Sequence, residues 1–280
     1  MKNIEFTIQA LAIYACCETY VQTHPIIVYL QNFRRMRKVL GYILTPIFYI
    51  CFTLALLIFH PIQWLCLKLG GYTAHKRSVD ILNSCLVACN YTLFNRTRFI
   101  DNTNIPTGRP VIFVANHQST FDIPPMIYFL RRFHGKFISK IELAKAGIPS
   151  ISYNLVHGGA ANIDRRDPKQ SVSEILKLAN NMKTKNWSAF IFPEGTRTRT
   201  GKMKAFSVGG IATLLKKNPD ALIVPVAIKG SYLMVKYGMF PLRPFTSMSW
   251  EVLNPLDTTG LDPEAIVKKA EKMIKEKVEY

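Results

Sequence analysis

The sequence predicts an α/β fold, a largely parallel central sheet flanked by helices, preceded by an N-terminal helical element that associates with a membrane. From about residue 99 onward, short β-branched and apolar runs alternate with amphipathic segments of helical periodicity. Alternation of this kind is typical of βαβ units, whose strands pair in parallel. Before it, a basic cluster adjoins residues 39–59, an apolar run without a formal charge. We therefore divide the chain into residues 1–95, helical and membrane-associated, and residues 96–280, the α/β domain.

The individual elements follow from periodicity and from glycine and proline positions. A helix from Ser78 to Asn95, with apolar residues at helical spacing, connects the N-terminal region to the domain. Strands are predicted over 111–116, 136–140, 151–164, 188–195, 221–230 and 247–253. Helices are predicted over 123–132, 170–183, 205–217 and 262–277, and a helix or turn over 141–148.

Residues 39–59 are long enough to cross a hydrocarbon core of about 30 Å. The positive-inside tendency places the basic cluster 34–38 in the cytosol. Because the rest of the chain is also rich in Lys and Arg, a single crossing would leave it on the far side. We favour a helix–break–helix hairpin, broken at Pro46 and at His60-Pro61, which keeps the α/β domain on the cytoplasmic face. The alternatives are a second crossing in the first segment, which is less apolar, and a buried core helix of a soluble protein.

The composition limits the classes of molecule that the protein is expected to bind. The formal net charge is +18, and 49% of the residues are hydrophobic. Such a charge implies an anionic partner: nucleic acid, a phosphorylated metabolite or an acidic membrane surface. The sequence has no zinc-ligand spacing and no RNP-like strand, so we predict neither a metal site nor nucleic-acid binding. The six cysteines lie in the first third without CxxC spacing, which indicates reduced thiols, and the N-terminus does not have the pattern of a signal peptide.

The segment 111–122, VIFVANHQSTFD, is the clearest candidate for a site. It places His117 and Asp122 five residues apart, as a base and its orienting carboxylate would be. In a straight helix five residues turn by about 500°, which would leave the two side chains about 140° apart. If they act together, the segment must be a strand-to-helix turn, and Pro124 and Pro125 suit the first turn of the helix that follows.

Two further polar segments follow predicted strands. GAANIDRR contains Arg165, and FPEGTR contains Glu194, Gly195, Thr196 and Arg197. In open α/β sheets ligands bind beyond the carboxyl ends of the strands, and the guanidinium fork suits phosphate. Each segment alone has a structural interpretation, as a buried histidine, an ordinary turn or a solvated arginine. Their joint occurrence favours one site.

These motifs resemble those of the PlsC-type glycerophospholipid acyltransferases. NHQSTFD matches the NHxxxxD signature, FPEGTR matches the most diagnostic block, and GAANIDR and LIVPVAI resemble the second and fourth blocks. The resemblance covers residues 99–230 and is closest to the 1-acylglycerol-3-phosphate acyltransferases. It implies transfer of a fatty acyl group from a thioester, acyl-CoA or acyl-carrier protein, to the free hydroxyl of lysophosphatidic acid at a membrane, without a bound cofactor.

The resemblance also implies residue roles. His117 would be the general base, and Asp122 would fix its tautomer. Residues 224–226 would form a wall of the acyl channel. Residues that would bind the acceptor are Lys140 and Arg165, at its phosphate, and Glu194, Gly195, Thr196 and Arg197.

Three other functions stay open. Members of the family often have Phe-Lys-x-Gly after the diagnostic block, whereas this chain reads MKAFSVGG over 203–210. The first alternative is therefore an acyltransferase whose acceptor is glycerol 3-phosphate or another lipid. A Ser–His–Asp hydrolase would need a G-x-S-x-G turn, which is missing from the sequence. A non-catalytic module that binds anionic lipid would leave His117 and Asp122 without a role.

Overall fold

The computed structural model describes residues 25–106 and 108–279. In this part of the chain eight strands form one sheet: β1 (Arg96–Asp101), β2 (Val111–Ala115), β3 (Gly135–Lys140), β4 (Ala161–Ile163), β5 (Ser188–Ile191), β6 (Leu222–Lys229), β7 (Ser247–Val252) and β8 (Leu256–Asp257).

The α-helices described are α1 (Pro25–Ala88), α2 (Ile123–Phe129), α3 (Ile141–Lys145), α4 (Ile151–His157), α5 (Pro168–Lys185), α6 (Gly209–Leu215), α7 (Ser231–Met234) and α8 (Pro263–Val278). Short 3-10 turns follow α1, join β2 to α2 and precede β3.

The sheet is mixed but largely parallel, as predicted. Its order is β1-β7-β6-β2-β5-β3-β4, and β8 pairs with β6. Strands β6, β2, β5, β3 and β4 run parallel to their neighbours in this group, whereas β7 and β8 are antiparallel to β6. The carboxyl ends of the parallel group therefore lie along one edge of the sheet.

Strand β2 lies at the centre of the sheet and is buried along its whole length. Because successive side chains of a strand point to opposite faces, β2 contributes to two cores. Ile112 and Val114 pack in the core that includes α5 and α8, and Phe113 packs in the core that includes part of α1. Coverage of both faces explains why this strand is a continuous apolar run.

Several predictions about this sheet were wrong. The strand predicted over 188–195 ends at Ile191, and the two-residue β8 was missed. Residues 151–164 form helix α4 and the three-residue strand β4, separated by Gly158 and Gly159, rather than one strand. Short apolar runs do not distinguish a strand from a helix by periodicity alone. Strand β1 was missed because RTRFID is mostly polar and lies beside β7 at an edge.

Helix α1 corrects the predicted hairpin. The helix continues through Pro46 and Pro61, and its break lies at Gly71, whose φ of 64° and ψ of −159° are non-helical. We call residues 25–70 the first arm and residues 72–88 the second arm. The second arm folds back, so that its Leu82 and Leu86 pack with Leu56 of the first. A proline removes one helical hydrogen bond, whereas this glycine adopts a left-handed φ that other residues disfavour.

The first arm has one docked face and one exposed face. On the docked face, Thr45 Oγ1 accepts a hydrogen bond from Leu242 N at 2.8 Å, and the Phe48 ring meets the edge of the Phe121 ring. The opposite face exposes large apolar side chains, including Ile43 and Ile50. The helix is long and apolar enough to cross a membrane.

The division at residue 95 stays a prediction. Residues 1–24, which include Cys16 and Cys17 and the segment tested for a signal peptide, lie outside the described residues. The four described cysteines, Cys51, Cys66, Cys85 and Cys89, are free thiols.

The turn between β6 and α7 gives a test of backbone strain. Gly230 has a φ of +82°, and a Cβ added there would lie 2.2 Å from Ser247 O. Gly238 has a similar φ of +94° but no atom within 4 Å of an added Cβ. We expect Gly238→Ala to lower the free energy of unfolding by about 1–2 kcal/mol, the usual cost of a left-handed L-residue. Gly230→Ala should cost about 1–3 kcal/mol more, since the backbone must also shift.

Denaturant titrations of both variants in detergent measure this difference. Equal losses in the two variants would contradict the close approach to Ser247.

Candidate active site

Asn116 fixes the carboxyl end of β2 against its neighbour. Its side-chain Nδ2 donates to Ile228 O at 2.9 Å, and its Oδ1 accepts from Ile228 N at 2.7 Å. The side chain is buried, and this pair of bonds takes up both backbone groups of one β6 residue. Asn116, the first residue of the NHxxxxD motif, therefore links β2 to β6 and fixes the position of the backbone at His117.

His117 and Asp122 are brought together by a turn, as the sequence predicts. After β2 the chain makes a 3-10 turn over Thr120–Asp122, with Ser119 as its N-cap, and then enters α2. His117 Nδ1 lies 2.9 Å from Asp122 Oδ2. Because a carboxylate only accepts hydrogen bonds, Nδ1 carries the proton in this pair, and Nε2 retains a lone pair.

Asp122 is fully buried and its oxygens are held from several directions. Oδ2 also accepts from Gln118 N at 2.7 Å and from Ser119 N at 2.8 Å. Oδ1 accepts from the hydroxyl of Ser231, at the start of α7, at 2.5 Å. The carboxylate cannot rotate without breaking these bonds, so the imidazole orientation is fixed as well.

The FPEGTR segment holds His117 from the other side. The Phe192 ring stacks on the imidazole, with ring centroids 4.0 Å apart and planes inclined by 9°. Glu194 Oε1 accepts from His117 N at 2.7 Å, and Thr198 N donates to His117 O at 3.0 Å. The NHQSTFD and FPEGTR segments are thus one structural unit around a single histidine.

Glu194 has both oxygens occupied by backbone amides. Oε1 takes His117 N, and Oε2 takes Lys204 N at 2.9 Å. Burial raises the pKa of this carboxyl, and the two amide bonds and the positive charge of Lys204 oppose that shift. Gly195, the next residue, has a φ of +71°, which lets the turn close without strain.

A cavity of about 820 Å³ opens at the carboxyl edge of the sheet, within the usual range of a small-molecule site. Its wall contains His117 together with Gly195 and Thr196. Asp122 and Glu194 do not line it and lie behind His117. Three of the predicted phosphate and acceptor residues also line the cavity, Lys140, Arg165 and Arg197. Four further basic side chains line it as well: Lys76, Arg131, Lys136 and Arg199. The predicted channel wall at 224–226 is wrong, since Val224 and Val226 lie in the core and do not line the cavity.

Other residues of the site were missed by the sequence analysis. Lys204 Nζ donates to Thr196 Oγ1 at 2.6 Å and to Arg197 O at 3.1 Å, so it braces the FPEGTR turn. It stands in MKAF, where the chain departs from the family pattern. Ser231 is distant in sequence from both motifs, and no local signal marks it.

A large part of the cavity wall comes from α1, which the sequence analysis treated only as a membrane element. Both of its arms contribute, through Phe52 on the first and Leu82 and Leu86 on the second, among others. An apolar wall, several basic side chains and the imidazole of His117, which Asp122 holds, therefore lie around one cavity. Among residues 25–106 and 108–279 no group of three or more His, Cys, Asp or Glu is placed to hold a metal ion.

This arrangement agrees with comparisons to known proteins. The family model described as Acyltransferase matches residues 96–229. The chain is 30% identical over 203 residues to the human 1-acyl-sn-glycerol-3-phosphate acyltransferase alpha, covering 70% of this chain and 67% of that protein. A chloroplastic 1-acyl-sn-glycerol-3-phosphate acyltransferase of Arabidopsis thaliana is 33% identical over 129 residues, 46% of this chain and 34% of that protein.

The chain thus spans between about one third and two thirds of the length of these two curated relatives. The solved structure of the 1-acyl-sn-glycerophosphate acyltransferase PlsC from Thermotoga maritima matches with a TM-score of 0.71 and 26% identity, over 87% of this chain and 96% of that one. On the sequence match, the shared fold and the predicted motifs, this chain belongs to the PlsC-type acyltransferase family.

Proposed function

We propose that this chain transfers a fatty acyl group from an acyl thioester to the free hydroxyl of 1-acylglycerol 3-phosphate, giving phosphatidic acid. The observation that carries the proposal is the His117–Asp122 pair, 2.9 Å apart, on the wall of a cavity that also contains Lys140 and Arg165. The relatives from human and Arabidopsis thaliana are named for this acceptor.

In the proposed step, His117 Nε2 takes the proton from the acceptor hydroxyl as its oxygen attacks the thioester carbonyl. Asp122 stabilises the imidazolium that forms. The new C–O bond replaces the C–S bond, and the imidazolium returns the proton to the departing thiolate. The acyl group passes directly to the acceptor, so no covalent acyl-enzyme and no bound cofactor or metal is needed.

The acceptor phosphate is assigned to the cations of the cavity. Arg165 precedes α5, Lys140 ends β3, and Arg197 belongs to the FPEGTR turn, so three separate elements direct positive charge to one space. Thr196 and Gly195 would line the acceptor site beside them. Glu194 supports this site indirectly, because its oxygens are bonded to backbone amides.

The donor is acyl-CoA or acyl-carrier protein, and the reaction takes place at a membrane. The exposed apolar face of α1 supports attachment to a lipid bilayer, where the acceptor lipid resides. Because the second arm folds back on the first, the basic cluster at 34–38 and the α/β domain are proposed to lie on the same, cytoplasmic side.

Removing the base gives the first test. His117→Ala should lower kcat by about 10²–10⁴-fold, the usual contribution of a general base. Asp122→Asn should also lower kcat, because an amide at this position no longer favours the tautomer with the proton on Nδ1. The measurement is the rate of phosphatidic acid formation from lysophosphatidic acid and acyl-CoA.

His157→Ala is the matched control, since His157 contacts the Tyr153 ring and does not line the cavity. Full activity in the His117 variant would refute the mechanism.

Two adjacent arginines allow a test of phosphate recognition. Arg165 lines the cavity, whereas Arg166 is 85% exposed and pairs with Asp164. Arg165→Ala should raise the KM for lysophosphatidic acid about 10-fold or more, the usual worth of hydrogen bonds to a charged group. Arg166→Ala should leave it nearly unchanged. The assignment of Arg165 is excluded if the two variants behave alike, or if monoacylglycerol without phosphate reacts as fast as lysophosphatidic acid in the wild type.

A further inference from the structure

The cavity that contains His117 extends along the inner side of α1, and both arms present a matched stripe to it. In the first arm Phe52 and Gln63, eleven residues apart, line the cavity. In the second arm His75 and Leu86, also eleven residues apart, line it with Leu82 between them. Eleven residues turn a helix by about three full turns, so the members of each stripe share one face.

The first-arm side of the stretch between these ends is apolar, whereas the second arm also presents Lys76, Asp80 and Asn83 to the cavity. Phe52 contacts the ring of Phe121, in the turn that carries His117, with ring centroids 6.0 Å apart. Leu56, Leu82 and Leu86 then form a cluster that joins the two arms. Gln63 lies about 16 Å farther along the helix axis than Phe52, at 1.5 Å per residue. A hydrocarbon chain extending from the reaction centre would run along this wall.

The far end of the wall is polar and buried. Gln63 has 0% exposure and His75 has 1%. Among the described residues, neither the Gln63 Nε2 nor its Oε1 has a hydrogen-bond partner, and His75 Nε2 has none either. Buried polar atoms are almost always hydrogen-bonded, and these side chains border the cavity, so a group inside it is the expected partner.

Two polar residues of the second arm, Asn83 and Ser78, differ from Gln63, whereas Asp80 Oδ1 on the same wall is also without a partner among the described residues. Asn83 Nδ2 donates to Val79 O at 2.7 Å, and the Ser78 hydroxyl donates to His75 O at 2.7 Å. These side chains bond to their own helix. Gln63 instead presents a free donor and a free acceptor, and a hydroxyl group, which both donates and accepts, is the smallest partner that complements them.

We propose that Gln63 and His75 form a subsite for a hydroxyl group carried near the end of a substrate's hydrocarbon chain. The inference rests on the proposed acyl transfer, and it specifies a chemical feature of the substrate's hydrocarbon chain for which the cavity would select. This hydrocarbon chain belongs either to the thioester or to the lysophospholipid acceptor, since each substrate carries an apolar chain and each reaches the reaction centre.

The test compares substrates of equal chain length, with and without a hydroxyl near the methyl end, on the purified full chain. One series places the hydroxyl on the thioester and the other on the acceptor, which distinguishes the two sources. The quantity measured is the ratio of kcat/KM for the hydroxylated and plain substrates. In Gln63→Met, which keeps the volume but not the hydrogen bonds, we expect this ratio to fall about 10-fold in one series, the usual worth of a buried hydrogen bond.

His75→Phe should lower the same ratio. Asn90→Leu is the matched control: Asn90 is buried with an unpartnered Oδ1, but it does not line the cavity. Its ratio should equal that of the wild type. The rate with the plain substrate reports whether each variant is folded. The inference is overturned if the ratio is the same in the wild type and in Gln63→Met for both series, which would leave water as the occupant.

Binding separates this inference from the proposed function. Non-reactive fatty acids with and without the hydroxyl are titrated into the wild type and Gln63→Met in detergent. Tighter binding of the hydroxylated acid by the wild type, lost in Gln63→Met, supports the subsite. If no thioester is turned over in the same preparation, acyl transfer is rejected and the subsite is retained. Equal binding of both acids by the wild type, with normal acyl transfer, rejects the subsite alone.

Discussion

The buried carboxylate of Asp122 is the interaction on which the site depends. It joins the imidazole of His117, the amides of the turn between β2 and α2, and the hydroxyl of Ser231 beyond β6. A charged group without water is tolerated only when several donors surround it. The carboxylate therefore fixes the relative positions of β2, α2 and α7, and the histidine orientation follows from that.

A second carboxylate, Glu194, completes the arrangement from the opposite side. Asp122 holds the ring of His117, and Glu194 holds its backbone amide. Stacking of Phe192 on the imidazole restricts the remaining rotation. His117, to which the proposed chemistry is assigned, is thus held at the edge of its ring, at the face of its ring and at its main chain. Such preorganisation reduces what must be ordered when a substrate binds.

The turn that joins His117 to Asp122 could be predicted from the sequence because its parts are local. The five-residue separation of His117 and Asp122 required a turn, and β-branched runs located the strand before it. Ser231 and Lys204 could not be predicted, since their partners are distant in sequence or hidden in a polar loop. The hairpin was expected, but its break was placed at prolines. The helix continues through both prolines, which are exposed, and breaks at a glycine with left-handed φ.

Helix α1 has a consequence for how the family is defined. The matched family model begins at residue 96, after this helix has ended. Yet the two arms supply much of the wall of the 820 Å³ cavity. A shortened chain starting at β1 would retain all four signature blocks and would lack an enclosed place for a hydrocarbon. The motifs mark the proposed reaction centre, whereas much of the wall of the cavity proposed for the lipid is encoded in a segment that the motifs do not include.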